Sequence, residues 1–132
     1  MTQFLLVAAG GALGAVARYG LGLTVGRLVP GMGWPWATFA ANISGGLLMG
    51  LLAGWLALKA GAGQESIRLF AAVGVLGGFT TFSAFSLEAA LMIERREIVS
   101  AFLYAVGSVV LAIAALFVGL MIARKLFTGV GA

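Results

Sequence analysis

Four long apolar runs, three of them without a charged residue, dominate this chain. Residues 4–26 are apolar except for Arg18, and residues 28–58, 69–87 and 98–123 contain no charge at all. A helix crosses the hydrocarbon of a bilayer with about 20 apolar residues. The runs therefore predict an all-α integral membrane protein with spans near 4–26, 36–58, 67–93 and 98–123, in a single membrane domain covering 1–132. The connections at 27–35, 59–66 and 94–97 are too short to hold a soluble domain. Charged residues make up 9% of the sequence, against roughly 25% in a soluble domain, so this chain cannot clothe a water-facing surface. Its mean hydropathy of +1.14 agrees. No basic segment precedes the first run and more apolar residues follow any cleavage point, so a removed leader peptide is not expected.

Composition also excludes chemistry. The chain has no cysteine, histidine or aspartate, and its four glutamates are Glu65, Glu88, Glu94 and Glu97. Thiolate nucleophiles, histidine bases and the usual zinc ligands are all missing, and no base–nucleophile pair can be assembled, so an enzyme is not expected. The net charge of +4 reads as membrane topology and not as nucleic-acid binding.

Small residues recur every fourth position at Gly46, Gly50 and Gly54, at Gly10 and Gly14, at Gly74 and Gly78, and at Ala115, Gly119 and Ala123. Such stripes let helices approach closely. Tight packing inside one bundle is the plainer reading for most of them. So much small-residue surface also suggests that subunits pack together.

The polar residues inside the runs carry the functional signal. The run Gly77-Gly78-Phe79-Thr80-Thr81-Phe82-Ser83-Ala84-Phe85-Ser86 puts paired glycines and paired threonines where a helix interior tolerates them poorly. The third span is also long, since 27 residues from 67 to 93 would reach about 40 Å as a straight helix against about 30 Å of hydrocarbon. A break near 77–82 absorbs that excess and frees backbone groups toward an ion or water. The alternative is a continuous helix with hydroxyls bonded back one turn.

Phe82 and Phe85 share a helix face, and aromatic edges carry positive charge toward an anion. Asn42, with Thr38 one turn before it, reads either as helix-packing glue or as an amide donor to an anion. Glu88 continues the Phe85 face, and Tyr104 and Ser108 lie one turn apart in the fourth span. With Thr81 they form a possible hydroxyl track. Glu88 is a functional candidate as an ionisable group in the membrane, or else it snorkels. Arg18 either faces a water-filled vestibule or anchors a helix end.

The run at 77–86 closely resembles the signature of the Fluc (CrcB) fluoride channels. The resemblance extends to residues 11–18 and to 38–46, including Asn42, and covers nearly the whole chain. It implies a multi-pass protein of the plasma (inner) membrane that passively exports cytoplasmic fluoride, assembled as an antiparallel dual-topology homodimer with two pores. By the same resemblance Asn42 coordinates fluoride and Phe82 and Phe85 present ring edges to it. Thr38, Thr81, Glu88, Tyr104 and Ser108 line the pathway. The carbonyls of Gly77 and Thr80 are expected to hold a structural Na⁺ at the dimer interface. Ala112 stands where the family often has a further hydroxyl.

Charge balance supports dual insertion on its own. Lys59, Arg68, Arg124 and Lys125 fall on one side of the membrane, and Arg27, Arg95 and Arg96 on the other, joined by Arg18 if it reaches that end. Neither orientation is clearly favoured. Two oppositely inserted copies, meeting through their glycine stripes, would enclose a polar path that one chain cannot.

Two other functions fit four short spans. A proton-coupled multidrug exporter needs a central acid, for which only Glu88 is suitable. An assembly subunit of a larger complex suits the glycine stripes and leaves the Thr/Ser/Phe run unexplained.

Overall fold

The computed structural model describes residues 1–31, 33–59, 61 and 63–128, with the side chain of Thr128 excepted. Helix α1 is Thr2–Leu28 and α2 is Trp36–Leu58. The third span, Gln64–Glu94, is composite. It opens with α3 (Gln64–Ile67), winds as a π-helix over Arg68–Leu76, and returns to an α-helical turn, α4 (Gly77–Phe79). Residues 80–82 lie outside the helices, with Thr80 extended at φ −81° and ψ 158°. Helix α5 (Ser83–Glu94) follows, and α6 is Ile98–Thr128.

Four of these segments are long and apolar enough to cross a membrane, and no strand occurs among the described residues. At most 22% of the apolar window of any span is buried inside the chain. The remainder presents leucine, isoleucine, valine and phenylalanine outward, as lipid requires. The protein is a multi-pass membrane protein.

The most extensive helix contact joins α2 to α6, and the next joins α1 to the π-helical segment. Glycine makes both seams. A Cβ on Gly46 would sit 2.6 Å from the Ala112 carbonyl oxygen, and one on Gly50 would collide with that of Leu116. Gly119 fits the same way against Leu47. In the other seam Gly10 and Gly14 lie against the backbone of Phe70 and Val75, and Gly78 against Gly11. Close packing inside one bundle, the plainer reading of the stripes, is what these contacts show. The stripes pack span against span within the chain, because backbone contact at these positions brings the helices close.

The turn between α5 and α6 is closed by Arg96, which takes a left-handed φ of 61°. The Glu97 N–H donates to the Met92 carbonyl at 2.9 Å. This turn and the segment leading into α2 lie at the same end of the bundle.

Candidate functional site

Of the non-helical residues of the third span, Thr80 and Thr81 lie against α2. Asn42, on α2, holds both backbone groups of Thr81. Its Nδ2 donates to the Thr81 carbonyl at 3.1 Å, and its Oδ1 accepts the Thr81 N–H at 2.9 Å. The Thr81 hydroxyl in turn accepts the Ala84 N–H at 3.2 Å and lies 3.4 Å from Ser83 Oγ. Thr81 thereby satisfies one of the otherwise free N–H groups in the first turn of α5. The Thr80 hydroxyl donates back to the Leu76 carbonyl at 2.9 Å, the local bond that threonine makes in a helix.

Around this knot lies an open groove of about 470 Å³. Its polar lining comes from Asn42, Thr80, Thr81 and Ser108, its aromatic lining from Phe82 and Phe85, and its apolar wall from Met49, Val109, Ile113 and Leu116. The Phe82 and Phe85 rings lie 5.5 Å apart at 40°. Phe82 is 76% exposed and Phe85 is 9% exposed, so one ring projects freely while the other is set in the core. Ser108 is 3% exposed, and its Oγ has no hydrogen-bond partner. A buried hydroxyl left unpaired costs roughly 1–3 kcal/mol, and this one borders the groove.

Behind the groove sits a second polar group. Glu88 Oε1 accepts the Thr38 hydroxyl at 2.8 Å, and Oε2 accepts the Tyr104 hydroxyl at 2.6 Å. Tyr104 is fully buried. Its ring packs against Phe85 at 5.2 Å and against Trp34 at 5.3 Å, the latter edge to face. Glu88 also borders a separate hollow of about 210 Å³ with Trp34, Pro35, Met92 and Arg95. That hollow lies at the end of the bundle where α5 turns into α6.

Of the residues singled out in the sequence, Asn42, Thr81, Phe82, Phe85 and Ser108 thus meet in one groove, with Gly77 and Thr80. Thr38, Glu88 and Tyr104 form an adjoining cluster joined to the groove through Phe85. Arg18 lies apart from both. Its Nε donates to the Gly78 carbonyl at 3.2 Å, a tie to the third span that neither a vestibule nor a helix-end anchor led one to expect. Sequence reasoning missed Trp34 and Phe39, whose rings lie 4.9 Å apart and which pack around Tyr104. Trp34 falls in a connecting segment, where no helical spacing marks it.

No group of three or more acidic, histidine or cysteine residues stands ready for a metal among the described residues. Gly77 and Thr80 both border the groove, and their carbonyls are neutral oxygen donors. That donor set suits a hard cation and not a soft one.

The profile of the family described as CrcB-like protein, Camphor Resistance (CrcB), matches residues 5–120. A protein of Caulobacter sp. (strain K31) called fluoride-specific ion channel FluC is 62% identical over 128 residues, covering 97% of this chain and 99% of the relative. The protein of that name from Phenylobacterium zucineum (strain HLK1) is 65% identical over 127 residues, covering 96% and 99%. One from Hyphomonas neptunium (strain ATCC 15444) is 59% identical over 127 residues, with the same shares covered.

Proposed function

Because this chain belongs to the CrcB-like family, we propose that it is a fluoride-specific ion channel of the bacterial inner membrane, which exports fluoride from the cytoplasm. The observation that carries this reading is the buried, unpartnered Ser108 hydroxyl in a groove shared with the Asn42 amide and two phenylalanine rings. Fluoride is small and strongly hydrated, so a pore must replace its water with close donors and still release it. Asn42 has a second amide hydrogen beyond the one given to Thr81. Ser108 has a hydroxyl hydrogen to give. The edges of Phe82 and Phe85 add positive quadrupole charge. The groove lining contains no lysine or arginine, so no basic side chain traps the ion.

In this reading Thr38, Thr81, Glu88 and Tyr104 extend the polar path, and Arg18 attracts anions toward it. The non-helical residues 80–82 act as a functional break. Two copies inserted in opposite senses complete the pores. The Gly77 and Thr80 carbonyls of each copy would hold a structural Na⁺ between them, which supplies fixed positive charge and is not transported. Transport needs no coupling ion. Fluoride enters cells as the neutral acid, dissociates and is trapped as the anion. A membrane potential of about 100 mV drives each charge outward with about 2.3 kcal/mol.

A multidrug exporter needs a carboxylate free to exchange a proton for a cationic drug. Both oxygens of Glu88 are engaged by hydroxyl donors, and the relatives are named for fluoride. The test is fluoride efflux from liposomes holding the purified protein, without a proton gradient. Rapid efflux is expected, and Asn42→Asp is expected to nearly abolish it in a folded protein. Proton-dependent cation transport without fluoride efflux would overturn the channel reading.

A further inference from the structure

In a continuous α-helix each carbonyl accepts the N–H four residues ahead. The Gly77 carbonyl would take the Thr81 N–H, and the Thr80 carbonyl would take the Ala84 N–H. Both donors are given elsewhere. The Thr81 N–H goes to Asn42 Oδ1 at 2.9 Å, and the Ala84 N–H goes to the Thr81 hydroxyl at 3.2 Å. Each diversion is made by a side chain, and together they fall on the two carbonyls suited to a cation.

We propose that Asn42 and Thr81 are positioning residues for the cation site: by capturing the Thr81 and Ala84 amides they keep the Gly77 and Thr80 carbonyls from being satisfied within the helix. The return bond from Asn42 Nδ2 to the Thr81 carbonyl at 3.1 Å locks the diversion, since the amide grips the peptide from both sides. Asn42 thereby serves two ions. Oδ1 shapes the cation's ligands, and Nδ2 keeps a second hydrogen for an anion in the groove that Asn42 lines. Thr81 contributes through its hydroxyl as an acceptor, a role that serine can fill and valine cannot. Backbone carbonyls at membrane depth need partners, so emptying the cation site also destabilises this part of the third span.

This inference rests on the fluoride-channel reading and on Na⁺ as the ion. The test measures thermal unfolding of the purified full-length protein in Na⁺ and in N-methylglucamine at equal ionic strength, with fluoride efflux followed in parallel. The wild type is expected to melt several degrees higher in Na⁺, with a saturating concentration dependence. Asn42→Ala and Thr81→Val are each expected to weaken the apparent Na⁺ affinity on the order of 10- to 100-fold, as loss of a group that orients metal ligands does. Thr81→Ser is expected to keep it. A purely structural role would lower the melting temperature equally in both cations and leave the difference between them intact. That result in either variant, or a wild type indifferent to Na⁺, overturns the inference. A wild type that responds to Na⁺ and passes no fluoride overturns the channel reading instead.

Discussion

The Tyr104 hydroxyl donates to Glu88 Oε2 at 2.6 Å across the α5–α6 contact. With Thr38 on the other oxygen, this places an acidic group in the membrane with both oxygens engaged. A hydrogen bond of this kind contributes about 0.5–1.5 kcal/mol. Tyr104→Phe is therefore expected to lower unfolding stability by about that amount and to slow fluoride efflux. A double-mutant cycle with Glu88→Gln is expected to give a coupling of at least about 0.5 kcal/mol. Additive effects in denaturant titrations would show that the two groups act independently.

Ser108 separates stability from transport. Its hydroxyl is buried without a partner, so Ser108→Ala removes an unsatisfied group and is expected to leave stability unchanged or to raise it by about 1 kcal/mol. Fluoride efflux is expected to fall severalfold. Thermal melts and liposome efflux on the same preparation check both directions. Efflux at the wild-type rate would take Ser108 off the path.

Glycine contact makes a prediction about packing. A Cβ on Gly50 meets the Leu116 backbone, while one on Gly11 meets open space. Gly50→Ala is expected to destabilise by about 1–3 kcal/mol through overpacking, and Gly11→Ala by less than about 0.5 kcal/mol. Equal melting temperatures for the two variants would contradict the seam.

Topology is open to a genetic test. The near balance of basic residues at the two ends predicts insertion in both orientations. Three lysines added at the C-terminus are expected to force one orientation and suppress function, and co-expression with a version biased the other way is expected to restore it. Terminal reporters showing one orientation for the active, unmodified protein would defeat dual insertion.

The spans were legible because an uncharged run of this length has few other fates than a membrane. Asn42, Thr81 and Ser108 were legible as polar groups in such runs. Their partners were not. The grip of Asn42 on Thr81 joins residues 39 positions apart and arises only once α2 lies against the third span. Arg18 shows the same limit: its charge was visible, and its bond to the Gly78 carbonyl depends on the α1 seam. The glycine stripes announced close contact without saying whose. Trp34 left no signal, since its role comes from the rings that surround it and not from its place in the chain.

The two glycine seams also impose an order of assembly. Helix α2 takes its main partner from α6 and not from a neighbour in sequence, and the whole third span is synthesised between them. At about 5–20 residues per second, α2 waits in the bilayer for seconds before α6 emerges, with its glycine face uncovered. The chain is thus closed by its last helix, and a ribosome that stalls before α6 leaves a nascent product with its second span unpaired, exposed to whatever in the membrane recognises an orphaned helix.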